Sequence, residues 1–280
     1  MRKAFTLLEL IVALGILAVV LSFAGLIFRV SIDSHRMALA NAEIMQKLRV
    51  ITEQLDSDFK KAHFKYGGRI EAHTTTYTTE VNDVDVEVAV NSDSIVFFAN
   101  GDFQSTEQYD GQTVVGNVAV IFYGHPDPDS YDRPPEPKDH ILLRRQTILT
   151  PYAPEASSDP NGEYYLTSLE QWRAGTLATD LKGWARRPLI DVNDLRAQQP
   201  IYLARGVYDF TISYLDADAT EPVITTEAID WKREIEEEGT GVLVSIRPSA
   251  LRFTFTLYDS RGIIKKGRTF THIVLVDIDR

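Results

Sequence analysis

The residue whose setting raises a chemical question is Glu9, the one charged side chain between Phe5 and Phe28. A carboxylate inside a membrane helix costs on the order of 3 kcal/mol on insertion scales, so such residues usually face a partner or a water-filled path. Glu9 lies one turn from Phe5, and snorkelling to the nearby membrane interface is one explanation. The other is that Glu9 pairs with a positive group outside its own helix.

The segment that positions Glu9 is long enough to cross a bilayer. Residues 5–28 contain no proline, and as a helix they span roughly 36 Å against a hydrocarbon core of about 30 Å. A secretory signal has a shorter apolar region followed by small residues, whereas here the small residue, Ala4, precedes the run. We therefore predict a transmembrane helix over 5–28, with Arg2 and Lys3 favouring a cytoplasmic N-terminus.

The beginning of the chain resembles the class III signal of type IV pilins and type II secretion pseudopilins. The resemblance rests on Lys3, the small residue Ala4 and the string FTLLEL that leads into the apolar run. Ala4 stands where the family usually has glycine. The resemblance implies a leader peptide at residues 1–4, its cleavage by prepilin peptidase between Ala4 and Phe5, and N-methylation of the new Phe5 amine. It also implies that Glu9 meets the N-terminal amine of a neighbouring subunit, which would offset the desolvation of both ions in lipid.

A second helical pattern follows the apolar run. Apolar residues recur every three or four positions, which is typical of an amphipathic helix packed on a domain. These residues are Ile44, Leu48, Ile51, Leu55, Phe59 and Ala62. The residues that can occupy the opposite face are Glu43, Lys47, Glu53, Asp56 and Lys60. Because Gly67 and Gly68 form a natural stop, we predict one helix from about Phe5 to about Tyr66, with residues 29–66 continuing into the ectodomain.

After Gly68 the hydrophobic period changes from 3.6 to 2, which predicts strands. The string VDVEVAV at residues 84–90 alternates strictly. Further candidate strands are 94–99, 114–123, 140–149, 207–215, 241–246, 251–258 and 270–278. Loops interrupt them at 126–139 and 150–163, and a short helix is expected within 168–183. The sequence predicts an α+β fold in which the long N-terminal helix packs on a mostly antiparallel sheet domain over residues 67–280.

The resemblance extends more loosely along the chain. The strings VIFYG, VYDFTISYLD and RPSALRFTFTLYD are similar to those of J-type minor pseudopilins of type II secretion and of W-type minor pilins. Major pilins are usually shorter, and many have a proline late in the apolar run, where this chain has none. The resemblance therefore implies a minor subunit at the tip or in a priming complex.

Composition argues against several other classes. The formal net charge of −11 disfavours a nucleic-acid partner. No cysteine is present, which removes disulfides and thiolate chemistry. The sequence has no recognisable catalytic motif and its histidines are scattered, so we predict that it is not an enzyme. Asp127, Asp129 and Asp132 are close enough in sequence to suggest calcium, but their spacing matches no EF-hand, and we predict no metal and no cofactor.

Two functions remain open on the sequence. The first is a filament subunit whose partners are other minor and major pseudopilins or pilins, prepilin peptidase and the inner-membrane assembly platform. The second is a single-pass, membrane-anchored periplasmic binding module with no filament role, for which Glu9 and the leader would be coincidental. Both interpretations place the helix in the bacterial inner membrane and the ectodomain in the periplasm.

Overall fold

The computed structural model describes residues 7–63, 67–81, 84–153, 162–168, 171, 181–192, 194, 201–216, 223–224, 229–231 and 248–276. These residues form a long N-terminal helix, α1 (Leu7–Phe59), and a strand-rich domain that also holds a short helix, α2 (Leu181–Trp184). The strands are β1 (Gly68–Glu71), β2 (Thr74–Val81), β3 (Val84–Asn91), β4 (Ser94–Tyr109), β5 (Gln112–Gly124), β6 (Ile141–Thr150), β7 (Tyr164–Leu166), β8 (Tyr202–Arg205), β9 (Val207–Asp216), β10 (Val223–Ile224), β11 (Ile229–Trp231), β12 (Pro248–Leu257) and β13 (Arg268–Leu275). The predicted strand at 241–246 lies outside the described residues.

Helix α1 ends at Phe59, earlier than the predicted end near Tyr66. The amides of Lys61 and Ala62 bond to carbonyls three residues back, which tightens the last turn. The chain then runs beside β4, where the Asn100 amide donates to the Lys61 carbonyl at 2.8 Å. Pairing with the sheet therefore replaces helical bonds before the glycines at 67 and 68 are reached.

Three sheets are built from the described strands. The largest has the order β11-β1-β4-β5-β6-β7, and β8 also pairs with β6. A four-stranded sheet has the order β10-β9-β12-β13, and β2 pairs with β3 in a separate hairpin. All pairings are antiparallel except that of β6 with β7. The predicted α+β fold, with one long helix and a mostly antiparallel sheet domain, is confirmed.

The main core lies between α1 and the two larger sheets. The residues of the predicted helical stripe face it: Ile44, Ile51, Leu55, Phe59 and Ala62 are buried, and Leu48 is partly buried. The Phe59 ring stacks on Phe97 of β4 with 4.4 Å between centroids, and lies 5.6 Å from the ring of Phe253 on β12. Phe59 therefore joins the helix to both sheets.

Strand β4 is apolar on both faces because both faces are covered. Ile95 and Phe97 point to the main core, while Val96 and Phe98 pack with Trp184 of α2 on the other side of the sheet. Continuous apolar runs are typical of strands buried on two sides. The segment containing α2 thus forms a third layer over the large sheet.

The predicted hairpin near the end of the chain is confirmed as β12 and β13, which pair from Ala250 with Leu275 to Leu257 with Arg268. Its turn is held by Asp259, whose buried carboxylate accepts from the amides of Ile263 at 2.9 Å and Ile264 at 2.8 Å. Burial works to raise the pKa of Asp259, but these backbone bonds outweigh burial and hold the pKa below its usual value. The turn is therefore rigid, and its acidic group points inward.

The docking of α1 gives a matched test with two leucines of the same helix. Leu55 is fully buried against the sheets, whereas Leu39 is 50% exposed. We expect Leu55→Ala to lower the free energy of unfolding by about 2–5 kcal/mol because it leaves a cavity. Leu39→Ala should change it by less than about 0.5 kcal/mol. Urea denaturation of the full chain in detergent micelles, followed by tryptophan fluorescence, measures both, and equal effects would contradict the docked arrangement.

Candidate assembly site

Glu9 lies in the first turn of α1 and is exposed. The first turn of a helix carries a partial positive charge, so a carboxylate there is favourably placed. The predicted processing residues Ala4 and Phe5 lie outside the described residues.

The surface around and beyond Glu9 is apolar on all sides. Large apolar side chains stay exposed along α1 from Leu7 to Leu39, and burial against the domain begins at Ala40. Over the described residues, α1 is the helix that is long and apolar enough to cross a membrane, with a best-window mean hydropathy of 2.9 and none of that window buried. A helix apolar all round is stable only when lipid or other helices cover it. The N-terminal half of α1 is therefore built for a membrane or for neighbouring helices.

At its other end, α1 carries a buried carboxylate that fixes it to the large sheet. Asp58 is 2% exposed. Arg144 on β6 donates two hydrogen bonds to the Asp58 carboxylate, from Nε at 2.6 Å and from one terminal nitrogen at 2.9 Å. The Tyr123 hydroxyl on β5 donates a third at 2.5 Å. The bidentate geometry gives the helix one rotational and axial position on the sheet.

The contacts around Asp58 raise the pKa values of Arg144 and Tyr123. Burial alone would lower the pKa of Arg144, but its bonds to Asp58 outweigh burial and raise that pKa. Burial raises the pKa of Tyr123 well above its usual value, and the negative charge of Asp58 adds to the effect. The arginine therefore stays charged and the tyrosine stays a proton donor at any physiological pH.

Polar contacts tie α1 to the second sheet at two further levels. Near the entry of the helix into the domain, Glu43 accepts from the Ser260 amide at 2.9 Å and Lys47 donates to the Tyr258 carbonyl at 2.8 Å. Farther along, Asp56 lies 2.8 Å from a ring nitrogen of His272 on β13. Contacts at three levels make the docked half of α1 one rigid unit with the domain.

Sequence reasoning missed Asp58, although a signal was present. Asp58 is three residues after Leu55 and seven after Ile51, so it lies on the apolar stripe rather than on the polar face. Arg144, together with the polar residues that follow it, likewise interrupts the apolar run of β6. A charge on each of two buried faces indicates a buried pair, since an unpaired buried charge is strongly unfavourable.

In the loop at residues 126–139, the three aspartates considered for calcium do not converge on a common point. Asp127 caps a short 3₁₀ turn (Pro128–Ser130) by accepting from the Asp129 amide at 3.1 Å. Asp129 and Asp132 are exposed. Within the described ranges, no group of three or more histidine or acidic side chains is placed to hold a metal ion.

Two histidines that are apart in sequence meet in the fold. His125 and His140 are both buried, with ring centroids 5.6 Å apart. Burial lowers the pKa of His125 to about 3, and the neighbouring His140 and Arg187 act in the same direction. Burial lowers the pKa of His140 to about 4 against the opposing effect of Asp139. Both rings are therefore neutral at physiological pH.

The Asp58 network can be tested by removing its negative charge. Asp58→Asn leaves Arg144 buried without its counter-ion, so we expect the free energy of unfolding to fall by about 3–5 kcal/mol. The control is Glu53→Gln on the same helix. It breaks an exposed pair with Arg49 at 2.7 Å and should cost less than about 1 kcal/mol. Urea denaturation measures both variants, and a small effect at Asp58 would show that the helix is positioned by apolar packing alone.

The histidine pair predicts acid sensitivity. Each ring has a folded-state pKa below its ordinary 6.5, so the unfolded chain binds protons first and stability falls as pH drops below about 6.5. Each histidine contributes a slope of up to about 1.4 kcal/mol per pH unit until its folded pKa is reached. Asp93 opposes this, because burial raises its pKa to about 6, and its contribution to stability is lost as pH rises.

We expect the net free energy of unfolding to decrease between about pH 6.5 and pH 4, since two histidines outweigh one carboxyl group. His125→Phe removes one titrating ring. It should reduce the slope of unfolding free energy against pH by up to about 1.4 kcal/mol per pH unit, which corresponds to one proton. Urea denaturation at a series of pH values measures the slopes. If the variant and the parent protein have parallel curves of stability against pH, His125 is protonated in the folded state as readily as in the unfolded chain.

Comparison with protein families gives one match, the model of the prokaryotic N-terminal methylation motif, at residues 1–25. Neither the curated proteins nor the solved structures include a match to this chain. The matched residues contain the predicted cleavage site, Glu9 and most of the apolar run of α1. The match therefore concerns the N-terminal segment, and it supports the resemblance of that segment to the prepilin-type motif of type IV pilins and pseudopilins.

Proposed function

We propose that this chain is a minor subunit of a type II secretion pseudopilus or of a type IV pilus-like filament, built into a tip or priming complex. The observation that carries the proposal is the exposed apolar half of α1, which bears the methylation motif and has Glu9 in its first turn. Such a helix needs two kinds of cover in turn: lipid before assembly and the helices of other subunits afterwards.

The role of Glu9 follows from the cost of burying charge. After cleavage between Ala4 and Phe5, the new N-terminus is an ammonium group, and N-methylation leaves it able to carry a proton. Neither this ion nor the Glu9 carboxylate is stable alone in lipid, so pairing between two subunits offsets both desolvation costs. The pairing also sets the axial position of one α1 against the next, as Asp58 does within the subunit.

The orientation follows from the same segment. The leader stays in the cytoplasm, where prepilin peptidase acts, α1 crosses the inner membrane, and the strand-rich domain lies in the periplasm. The partners are the other minor and major pseudopilins or pilins and the inner-membrane assembly platform. The looser likeness of the strand-rich domain to J-type pseudopilins and W-type pilins supports the minor role. The proposed role is structural rather than catalytic and uses no cofactor.

The experiment replaces Glu9 by leucine in cells that assemble the filament. Glu9→Leu makes membrane insertion easier, so a failure to insert cannot explain a loss of assembly. We expect membrane-bound protein at the normal level but at least a tenfold loss of cross-links to other subunits. Asp33→Asn, which removes an exposed carboxylate of α1 outside the apolar run, is the control and should assemble normally.

Mass measurement of the N-terminus accompanies this experiment. The mature parent protein and both variants should begin at Phe5 with one added methyl group. Normal cross-linking of Glu9→Leu, or a parent protein that keeps Met1, would contradict the filament role. Either result would favour the second interpretation of the sequence, an anchored periplasmic binding module.

A further inference from the structure

The turn that joins β12 to β13 is strongly basic on an otherwise acidic protein. Residues 259–268, the basic turn, contain four cations and one carboxylate, while the whole chain has a formal charge of −11. The carboxylate, Asp259, is buried inside the turn. The cations are all exposed and, within the described ranges, form no ion pair: Arg261, Lys265, Lys266 and Arg268.

The fold places the basic turn at the end of the domain nearest the apolar half of α1. Its Ser260 contacts Glu43, close to Ala40, where burial of the helix begins. At the opposite end of the domain, β13 meets α1 at Asp56 and Lys60. The four cations therefore project from the face through which the helix leaves toward the membrane.

The distance to a membrane is short. At about 1.5 Å per residue, Glu43 lies roughly 22 Å along the helix from Phe28, the last residue of the apolar run. The headgroup layer fills about 5–7 Å of this gap. Membrane helices tilt by about 20° on average, and a tilt toward the basic turn lowers that side of the domain. Lysine and arginine side chains extend farther still, so the cations come within about one Debye length, or about 8 Å, of the lipid headgroups.

Charges around the basic turn do not cancel it. Lys138 is paired with Glu136 at 2.7 Å, and Arg205 is paired with Asp139 at 2.7 Å. Glu43, which contacts Ser260, is paired with Lys47 at 2.9 Å, and Glu136 also attracts Lys265. Among the described residues, each of these neighbouring acids has its own basic partner, so the net charge beside them is that of the turn's cations. Such a basic group next to a membrane helix is attracted to anionic lipid by a factor of about five per cation.

We propose that the basic turn binds the phosphate headgroups of anionic phospholipids in the leaflet from which α1 emerges, and so draws the domain toward the membrane before assembly. The inference rests on the membrane insertion of α1 that the proposed function includes. Lipid fits better than an acidic protein surface because α1 holds the turn over the same bilayer, which gives the headgroups a high effective concentration.

The test uses the full chain in vesicles. Because the chain has no cysteine, Ile263→Cys provides a single site in the turn for a fluorescent donor, with the acceptor on lipid headgroups. Vesicles contain either phosphatidylcholine alone or phosphatidylcholine mixed with phosphatidylglycerol. We expect stronger energy transfer in the anionic vesicles than in the neutral ones. High salt should abolish this difference, because it screens exposed charges.

Two double variants separate the basic turn from charge in general. Lys265→Glu with Lys266→Glu should reduce the ratio of membrane-bound to free turn by at least about 25-fold, at about fivefold per cation. Lys60→Glu with Lys61→Glu makes the same charge change with exposed lysines at the opposite end of the domain. This control should leave energy transfer within about twofold of the parent value.

Retention of the chain in vesicles after a carbonate wash is measured in parallel. Failure of retention would remove the anchor and, with it, the proposed function. Retention with equal energy transfer in both kinds of vesicle would overturn the lipid proposal while leaving the filament role intact. If transfer is equal in both but the Lys265 and Lys266 variant loses cross-links to other subunits, the turn binds an acidic protein surface and the lipid proposal is also wrong.

Discussion

The buried pair between Asp58 and Arg144 is the constraint that sets where α1 lies on the domain. Apolar packing alone is tolerant, because a stripe of aliphatic residues can shift or rotate with modest cost when its neighbours repack. A bidentate ion pair is not tolerant, since a displacement of one turn would leave two charges buried without partners. About three-fifths of α1 extends beyond the domain, so a small error in docking angle would be magnified at Glu9. The pair therefore fixes the position of the distant N-terminus as well as the local contact.

A single continuous helix joins the exposed apolar segment to the strand-rich domain. The described part of α1 has 53 residues, which corresponds to roughly 80 Å, and the chain has no proline before residue 126. Kinks in long helices usually need a proline, a bulge or an inserted side chain. Without such a break, the axial position of Glu9 is coupled directly to the position of the domain through the Asp58 network. In the proposed filament, Glu9 acts at one end of α1 as Asp58 acts at the other, because pairing a charge that is costly to bury sets one defined register.

The sequence is sufficient to predict features that depend on local pattern. Alternation located β3, the apolar runs located β4, β5, β6, β9 and β12, and the helical stripe selected the residues that are buried against the sheets. Features that depend on tertiary partners could not be predicted in this way. The end of α1 depends on a bridge from Ala62 to Ala99, and the short strands β1, β7 and β8 exist only because longer strands offer them an edge. His125 and His140 meet because the ends of two neighbouring strands converge, which spacing in sequence does not reveal.

The distribution of charge on the surface matters here more than the net charge of the protein. An acidic protein is repelled by anionic lipid as a whole, yet the force at a membrane depends on the charges within about one Debye length, or about 8 Å, of its surface. The fold turns Asp259 inward to bind backbone amides and leaves the cations of the basic turn outside. Asp259 therefore has two effects: it closes the turn, and it leaves the surface of the turn without a carboxylate. In the two proposals, Glu9 sets the register along α1 and the basic turn sets the tilt over the bilayer, so the two groups restrict different motions of the same rigid body.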